Sequence, residues 1–419
     1  MVFVAITIMA WLGGCGTDKN DSVPGELDNR EAVQIDEYEL KEDVSVHALE
    51  GDAIQESLLT DINGSTHHVV TLKEQTPNIQ INHFVSMKPS KFFPYGFIGQ
   101  VKQITQANGH KVLLLEKKGL ADIFKKLKLH IKKDLFPSRI QEGFGAEGYP
   151  SDPNTLYVLR KAEGVSIDIG EDFTKNGVEG NPLKSISVTL LNVTADGNLS
   201  IDGAYHCSPS VNMNISIGHT WDFKPYIDNN TYLSEGVTVW GNLKATGKGS
   251  ISITVPVSIA ELILGTVDLE IGPVPVTIVF RLNLDLVTKG FASGDFVTNF
   301  RYHVKSEETI GKWNDTWSAS GEPEELQLDN IESSFNLTTA SEGFKIGVRG
   351  TIGAYIESVL GPWASIYPYN AIQFTPDSKI NDYIGIAGTV SFGLRAFGII
   401  FASVNRTLFD KKTLIYSDK

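Results

Sequence analysis

Two cysteines, nine histidines and two clusters of aromatic rings are the residues of this 419-residue chain whose types suit chemistry or recognition. Cys15 closes the apolar run MVFVAITIMAWLGG and is followed at once by polar GTDKND. Its thiol is a strong nucleophile once ionised, and Gly13 and Gly14 leave the backbone before it open to an approaching enzyme. Cys207 lies in AYHCSPSV beside His206. Neighbours along a strand point to opposite faces, so this context predicts a buried structural cysteine and not a Cys–His nucleophile. The histidines, His67 and His68 among them, show no HExxH or other paired ligand spacing, and there is no G-x-S-x-G, P-loop or dinucleotide fingerprint. No catalytic residue, metal ligand or cofactor follows. A glycoside-cleaving carboxylate pair is defined in space and has no sequence spacing to read. The aromatics are more informative. KWNDTW sets Trp313 and Trp317 four apart in a polar turn, and GPWASIYPYN gathers Trp363, Tyr367 and Tyr369 beside glycine and proline. Rings held on loops stack on sugars or anchor a protein partner, so these five are the candidate binding residues.

The stretch Leu12-Gly13-Gly14-Cys15 resembles the lipobox of bacterial lipoproteins, an aliphatic residue and two small ones before a cysteine. The apolar lead from Met1 to Leu12 is too short for a spanning helix, which needs roughly 20 residues, and matches the core of a signal peptide. Unlike most signal peptides it carries no Lys or Arg. The resemblance implies a signal peptide over 1–14 and a Cys15 carrying a thioether-linked diacylglycerol as the mature N-terminus. A lipid anchor to the bacterial cell envelope follows, at the outer membrane or cell surface. With Cys15 so used, Cys207 has no partner for an intrachain disulfide.

Charge then separates the next segment from the rest. Gly16 to Thr60 holds thirteen acidic side chains against Lys19, Arg30 and Lys41, a net of −10 out of −14 for the whole chain. So acidic a stretch, poor in aromatics, predicts a flexible tether over 15–65. The opposite charge is concentrated once, with seven lysines between Lys117 and Lys133 against Asp122. That run suits anionic lipid headgroups, a surface polysaccharide, or the chain's own acidic segment. Nucleic acid is excluded as a partner, since the chain is acidic overall and the lysine run has no interleaved aromatics.

The elements that must position any site are strands. HHVVTLK, IQINHFVSM and FIGQVKQITQANGHKVLLLEKK alternate with period two, and Asn108-Gly109 supplies the positive φ of a tight hairpin. GLADIFKKLKLHIKKDL predicts a short helix feeding a strand. These make a small α+β module over 66–136, similar at pattern level to segments of secreted β-rich microbial surface proteins. A turn-rich connector over 137–182 follows, with one strand at TLYVLRKA. From 183 to 419 hairpin follows hairpin, which predicts an antiparallel β-sandwich or elongated sheet stack, with SIAELILG as a helical turn or two. GPVPV, which resembles a segment of the same secreted β families, has Pro273 and Pro275, each of which belongs where a backbone nitrogen is unpaired. A transmembrane barrel is disfavoured by uneven strand lengths and by the lack of aromatic girdles. Three classes of function remain. The first is a lipid-anchored surface protein with a non-enzymatic binding, adhesion or structural role, its partner a polysaccharide or surface protein. The second is a lipid-anchored carbohydrate-active enzyme, and the third a periplasmic carrier of hydrophobes.

Overall fold

The computed structural model describes residues 32–417, apart from 63–64, 74–77, 144–151, 153, 173–182, 196, 220–224, 228–230, 253–255, 315, 341–343, 357–358, 375–378 and 393–403. Cys15 and the signal-peptide expectation lie outside the described residues, as does the first part of the acidic segment.

Period-two alternation over long strands forces each sheet to bury one face. Numbered in chain order, the strands form three sheets. The ten-stranded sheet runs β1 (Ala32–Leu40), β8 (Phe124–Asp134), β13 (Leu199–His219), β15 (Tyr232–Gly247), β19 (Ala292–Trp313), β16 (Ser250–Ile251). Off that path, β11 (Val165–Asp172) pairs with β12 (Leu183–Ala195), which pairs with β13; β14 (Pro225–Ile227) also pairs with β13, and β20 (Thr316–Ala340) with β19. The eight-stranded sheet runs β24 (Val404–Ser417), β23 (Ile380–Phe392), β22 (Val359–Phe374), β21 (Phe344–Ile356), β18 (Val274–Lys289), β17 (Val257–Ile271), β10 (Thr155–Lys161), β9 (Arg139–Glu142). The six-stranded sheet runs β2 (Val46–Leu49), β5 (Phe84–Met87), β6 (Phe97–Ala107), β7 (His110–Lys117), β4 (Ser65–Leu72), β3 (Ile54–Ile62). Pairing is antiparallel except in β2/β5 and β9/β10. The fold is mainly β, a stack of sheets.

The ten- and eight-stranded sheets turn their apolar faces together. Ile186, Val188, Cys207, Val239 and Phe300 from one meet Ile278, Phe280, Leu282, Ile346 and Ile384 from the other in one buried cluster. Each such side chain contributes roughly 1.5–3 kcal/mol of transfer free energy, and this layer is the main source of stability. The six-stranded sheet has a smaller core of its own, including Val70, Leu72, Val85, Phe97, Val101 and Leu115. It is joined to the eight-stranded sheet through Tyr95. The Tyr95 hydroxyl donates to Glu261 Oε1 at 2.5 Å, its ring stacks on Tyr355 at 4.3 Å, and Arg281 sits 5.2 Å from its centroid while pairing with Glu261 at 3.1 Å. A Ser86 Oγ–H bond to the Pro275 carbonyl, 2.7 Å, adds a second tie.

Several local expectations meet their structures here. Asn108 and Gly109 turn between β6 and β7 at φ +50° and +82°, and α1 (Leu120–Ile123) feeds β8. Yet β8 joins the ten-stranded sheet and not the module that precedes it. SIAELILG is strand, the middle of β17; it is buried on both faces, because Tyr157 packs with Ile263 on the side away from the main core, and so shows no alternation. The connector holds β9 and β11 besides the expected strand. Gly272, at φ +62°, and Pro273 turn between β17 and β18, while Pro275 stands before the β21 ladder begins at Ile278.

The tether expectation fails from Ala32 onward. Residues 32–62 contain β1, β2 and β3; in β1 the acidic side chains are met by the lysine run, Glu37 pairing with Lys126 at 2.6 Å and Glu39 with Lys125 at 2.7 Å across the β1–β8 ladder. Ile35 and Leu40 bracket the acids Asp36, Glu37 and Glu39 and pack against the main core. Of the three possible partners of the lysine run, the chain's own acidic segment thus meets Lys125, Lys126 and Lys128.

Several buried positions break the apolar rule, among them Asp382, Asn370 and Glu308. Glu308 on β19 is 1% exposed, and neither carboxyl oxygen has a hydrogen-bond partner among the described residues. It faces Gly388, where a Cβ would lie 2.6 Å from Oε1, so only glycine leaves it room. Burial pushes its acidity up to about 8 from the usual 4.5. Between those values the unfolded chain has lost the proton while the folded chain keeps it, so stability falls as pH rises. Urea midpoints of the native protein and of Glu308→Gln are therefore expected to diverge from about pH 4.5 to 8, the native protein losing ground, and to run parallel outside that window. Parallel curves throughout would refute the buried neutral acid.

Candidate functional site

Antiparallel register assembles the site from residues far apart in sequence. On the face of the ten-stranded sheet turned away from the core, Ser187, His206, Trp240, His303 and Gln327 form one continuous cross-strand row through β12, β13, β15, β19 and β20. The next row on that face continues Asn242, Arg301 and Asp329. Ser187 Oγ lies 2.7 Å from His206 Nδ1, the His206 and Trp240 rings stack at 5.5 Å and 13°, and His303 Nδ1 lies 3.9 Å from Glu325. The two rows border a groove of about 340 Å³ whose floor is the backbone at Gly241 and Tyr302. Gly241 has φ +154°, and a Cβ there would meet the Ala204 carbonyl at 1.9 Å, so glycine is required for this close approach of β13 and β15. The Tyr302 hydroxyl donates to that same carbonyl at 3.0 Å from the core side.

Chemically this arrangement offers hydrogen-bonding groups beside a stacked ring pair. A serine–histidine contact resembles a nucleophile and its base, but acyl transfer also needs free N–H groups aimed at an oxyanion. Ser187 and His206 sit mid-ladder, where the backbone is engaged in cross-strand pairing. The groove lining supplies one carboxylate, Asp329, where glycoside cleavage uses two. What remains is a set of hydrogen-bonding groups, Asn242, Arg301, Gln327 and Asp329, around a stacked ring pair. Among the described residues no group of three or more His, Cys, Asp or Glu could hold a metal ion. Cys207, adjacent to His206, faces the opposite way into the core, and burial pushes its thiol up to about 12.

The residues expected from sequence fall elsewhere. Trp313 ends β19 and Trp317 belongs to β20, on either side of a tight turn with Asn314 at φ +49°; their side chains lie outside the described residues. Trp363, Tyr367 and Tyr369 are not on a loop. They occupy alternate positions of β22 and share the outer face of the eight-stranded sheet. The prolines that suggested a loop are accommodated inside the strand: the ladder to β21 passes from Gly350·Ile366 to Gly347·Tyr369, leaving the positions at Tyr367 and Pro368 without paired residues on that side. Tyr369 is 0% exposed. Its ring lies across Gly385, its hydroxyl bonds Asp410, and Lys345 caps it 4.1 Å from the centroid. The Tyr367 hydroxyl donates to the Val287 carbonyl at 3.2 Å. These two rings tile the sheet from a strand and not from the expected loop. The groove residues were missed because no short stretch contains them; the trace they leave is a polar or aromatic residue at alternate positions of three successive hairpin strands.

Compared with family models, with curated proteins and with solved structures, the chain matches none of them.

Two substitutions separate the two faces. Tyr369→Ala is expected to cost roughly 3–5 kcal/mol of stability through lost burial and a cavity. Asn242→Ala, at the groove, should stay within about 0.5 kcal/mol of the native protein. Chemical denaturation of both variants checks this, and equal losses would show that the groove wall is structural too.

Proposed function

We propose that this protein is a non-enzymatic binding component of a bacterial envelope, carried on a lipid at Cys15 and presenting the outer face of its ten-stranded sheet to a polysaccharide or surface-protein ligand. The observation that carries the binding role is the groove at Trp240, Asn242, Arg301, Gln327 and Asp329, built on mid-strand positions of a rigid sheet. Such positions hold their side chains in fixed relative geometry, which lowers the ordering cost of recognition. The lipobox-like Leu12-Gly13-Gly14-Cys15 supports the anchor. No helix among the described residues is long and apolar enough to cross a membrane. A carbohydrate-active enzyme would need a second carboxylate across the groove, and a hydrophobe carrier a lined cavity where the two sheets instead interdigitate.

Both halves are open to direct test. Cys15→Ser, expressed with its leader in a lipoprotein-processing bacterium, is expected to lose palmitate labelling and membrane partitioning; unchanged partitioning removes the anchor. The soluble protein should bind whole cells or isolated envelope polysaccharide, and Arg301→Ala should weaken that binding about tenfold while leaving the thermal midpoint unchanged. Binding indifferent to Arg301 removes this face as the site.

A further inference from the structure

A second groove lies on the same strands as the first. It measures about 310 Å³ and is bordered by Thr246, Lys248, Asp295, Val297, Ser334 and Asn336, with the backbone at Gly247 and Phe296 as its floor. On β15 the step from Trp240 to Thr246 is six residues, about 20 Å at the usual rise of a strand. Between the grooves the outward row is Lys244, Asn299 and Glu332. The two openings are therefore ends of one strip running along β15, β19 and β20.

Charge along that strip cancels. Arg301 stands opposite Asp329, and the Lys244 row ends in Glu332; Lys248 and Asp295 border the second groove. Three basic and three acidic side chains thus alternate with the amides Asn242, Gln327, Asn299 and Asn336 between the two grooves. A polyanion such as nucleic acid or a uronic-acid polymer would meet three carboxylates, and a polycation three basic groups. The strip also lacks an open ring face, since Trp240 is only 4% exposed, so it has no anchor for the apolar centre of a protein interface. What suits a neutral band of mixed donors and acceptors is a ligand that is itself neutral and carries many hydroxyls.

Resting on the proposed binding role, we infer that the ligand is an uncharged glycan chain, lying along the strands and spanning both grooves. Its hydroxyls donate to Asp329 and Asp295 and accept from Arg301 and the amides. Contact over about 20 Å makes affinity depend on chain length, because neither groove alone offers more than a few hydrogen bonds.

Affinity electrophoresis tests this with neutral dextran, xylan, mannan and laminarin, and with heparin and polygalacturonate as anionic polymers. At least one neutral polymer is expected to retard the protein, and both anionic ones to leave it unretarded. The pairs Asn242→Ala with Arg301→Ala, and Asp295→Ala with Asn336→Ala, should each weaken retardation about tenfold or more, with thermal midpoints held as proof of folding. Long oligosaccharides of the retarding polymer should compete, and its disaccharide should not. No retardation by any neutral polymer, or retardation by the anionic ones, overturns the uncharged class. A disaccharide that competes as well as the long chain, or an inert second groove, overturns the extended mode while the underlying binding role stands. Loss of that role has its own signature, cell or envelope binding that ignores Arg301.

Discussion

The ladder of β13 is the interaction on which the larger part of the structure depends. Its 21 residues bond β12 with their first half and β8 with their second, while β15 runs along the other side for most of the length. β8, β12, β14 and β15 all pair with this one backbone, and the other strands of the ten-stranded sheet attach through them. Because side chains alternate strictly along it, a one-residue slip would turn Cys207, Val211, Met213 and Ile215 outward and bring His206 and Asn212 into the apolar layer. That penalty fixes the register, and the register in turn sets His206 beside Trp240. Core and site are consequences of the same alternation.

Electrostatics adds to this without replacing it. The β1 strand brings Glu37 and Glu39 against Lys125, Lys126 and Lys128 of β8. All these side chains are at least a third exposed, and such pairs contribute little individually to stability. Their effect is on choice of partner: a strand this acidic has few favourable edges on a protein of net charge −14, and β8 is one. Ile35 and Leu40 then supply the burial.

Local features were legible in the sequence and long-range ones were not. Asn108-Gly109, the helix before β8, the placing of Pro273 and Pro275 and the strand-rich character all follow from a residue and its near neighbours. The tether was misread because composition over 45 residues averaged a strand whose Ile35 and Leu40 reach the core into its acidic surroundings. Trp363, Tyr367 and Tyr369 were placed on a loop because glycine and proline mark turns in most settings, whereas here they lie within β22, with Gly347 and Gly385 of the neighbouring strands beneath the Tyr367 and Tyr369 rings. The groove was invisible for a different reason. His206, Trp240 and His303 meet through pairings across 34 and 63 residues, and nothing local records which hairpin lies beside which.

The course of the chain from β1 to β2 has a mechanical consequence. β1 is an edge strand of the ten-stranded sheet and β2 an edge strand of the six-stranded one, so a few residues of chain, with Val44 and Val46 packed on the main core, pass from one sheet to the other. A load carried by the backbone into Ala32 is met first by β1. If it acts along the strand, the eight paired positions with β8 share it in shear; if it acts across the strand, they open one after another from Ala32·Lys132. Only after they part does tension reach β2 and the small sheet beyond. The ten-stranded sheet therefore acts as a clamp between a pull on the N-terminal side and the rest of the fold, with a strength set by the direction of that pull.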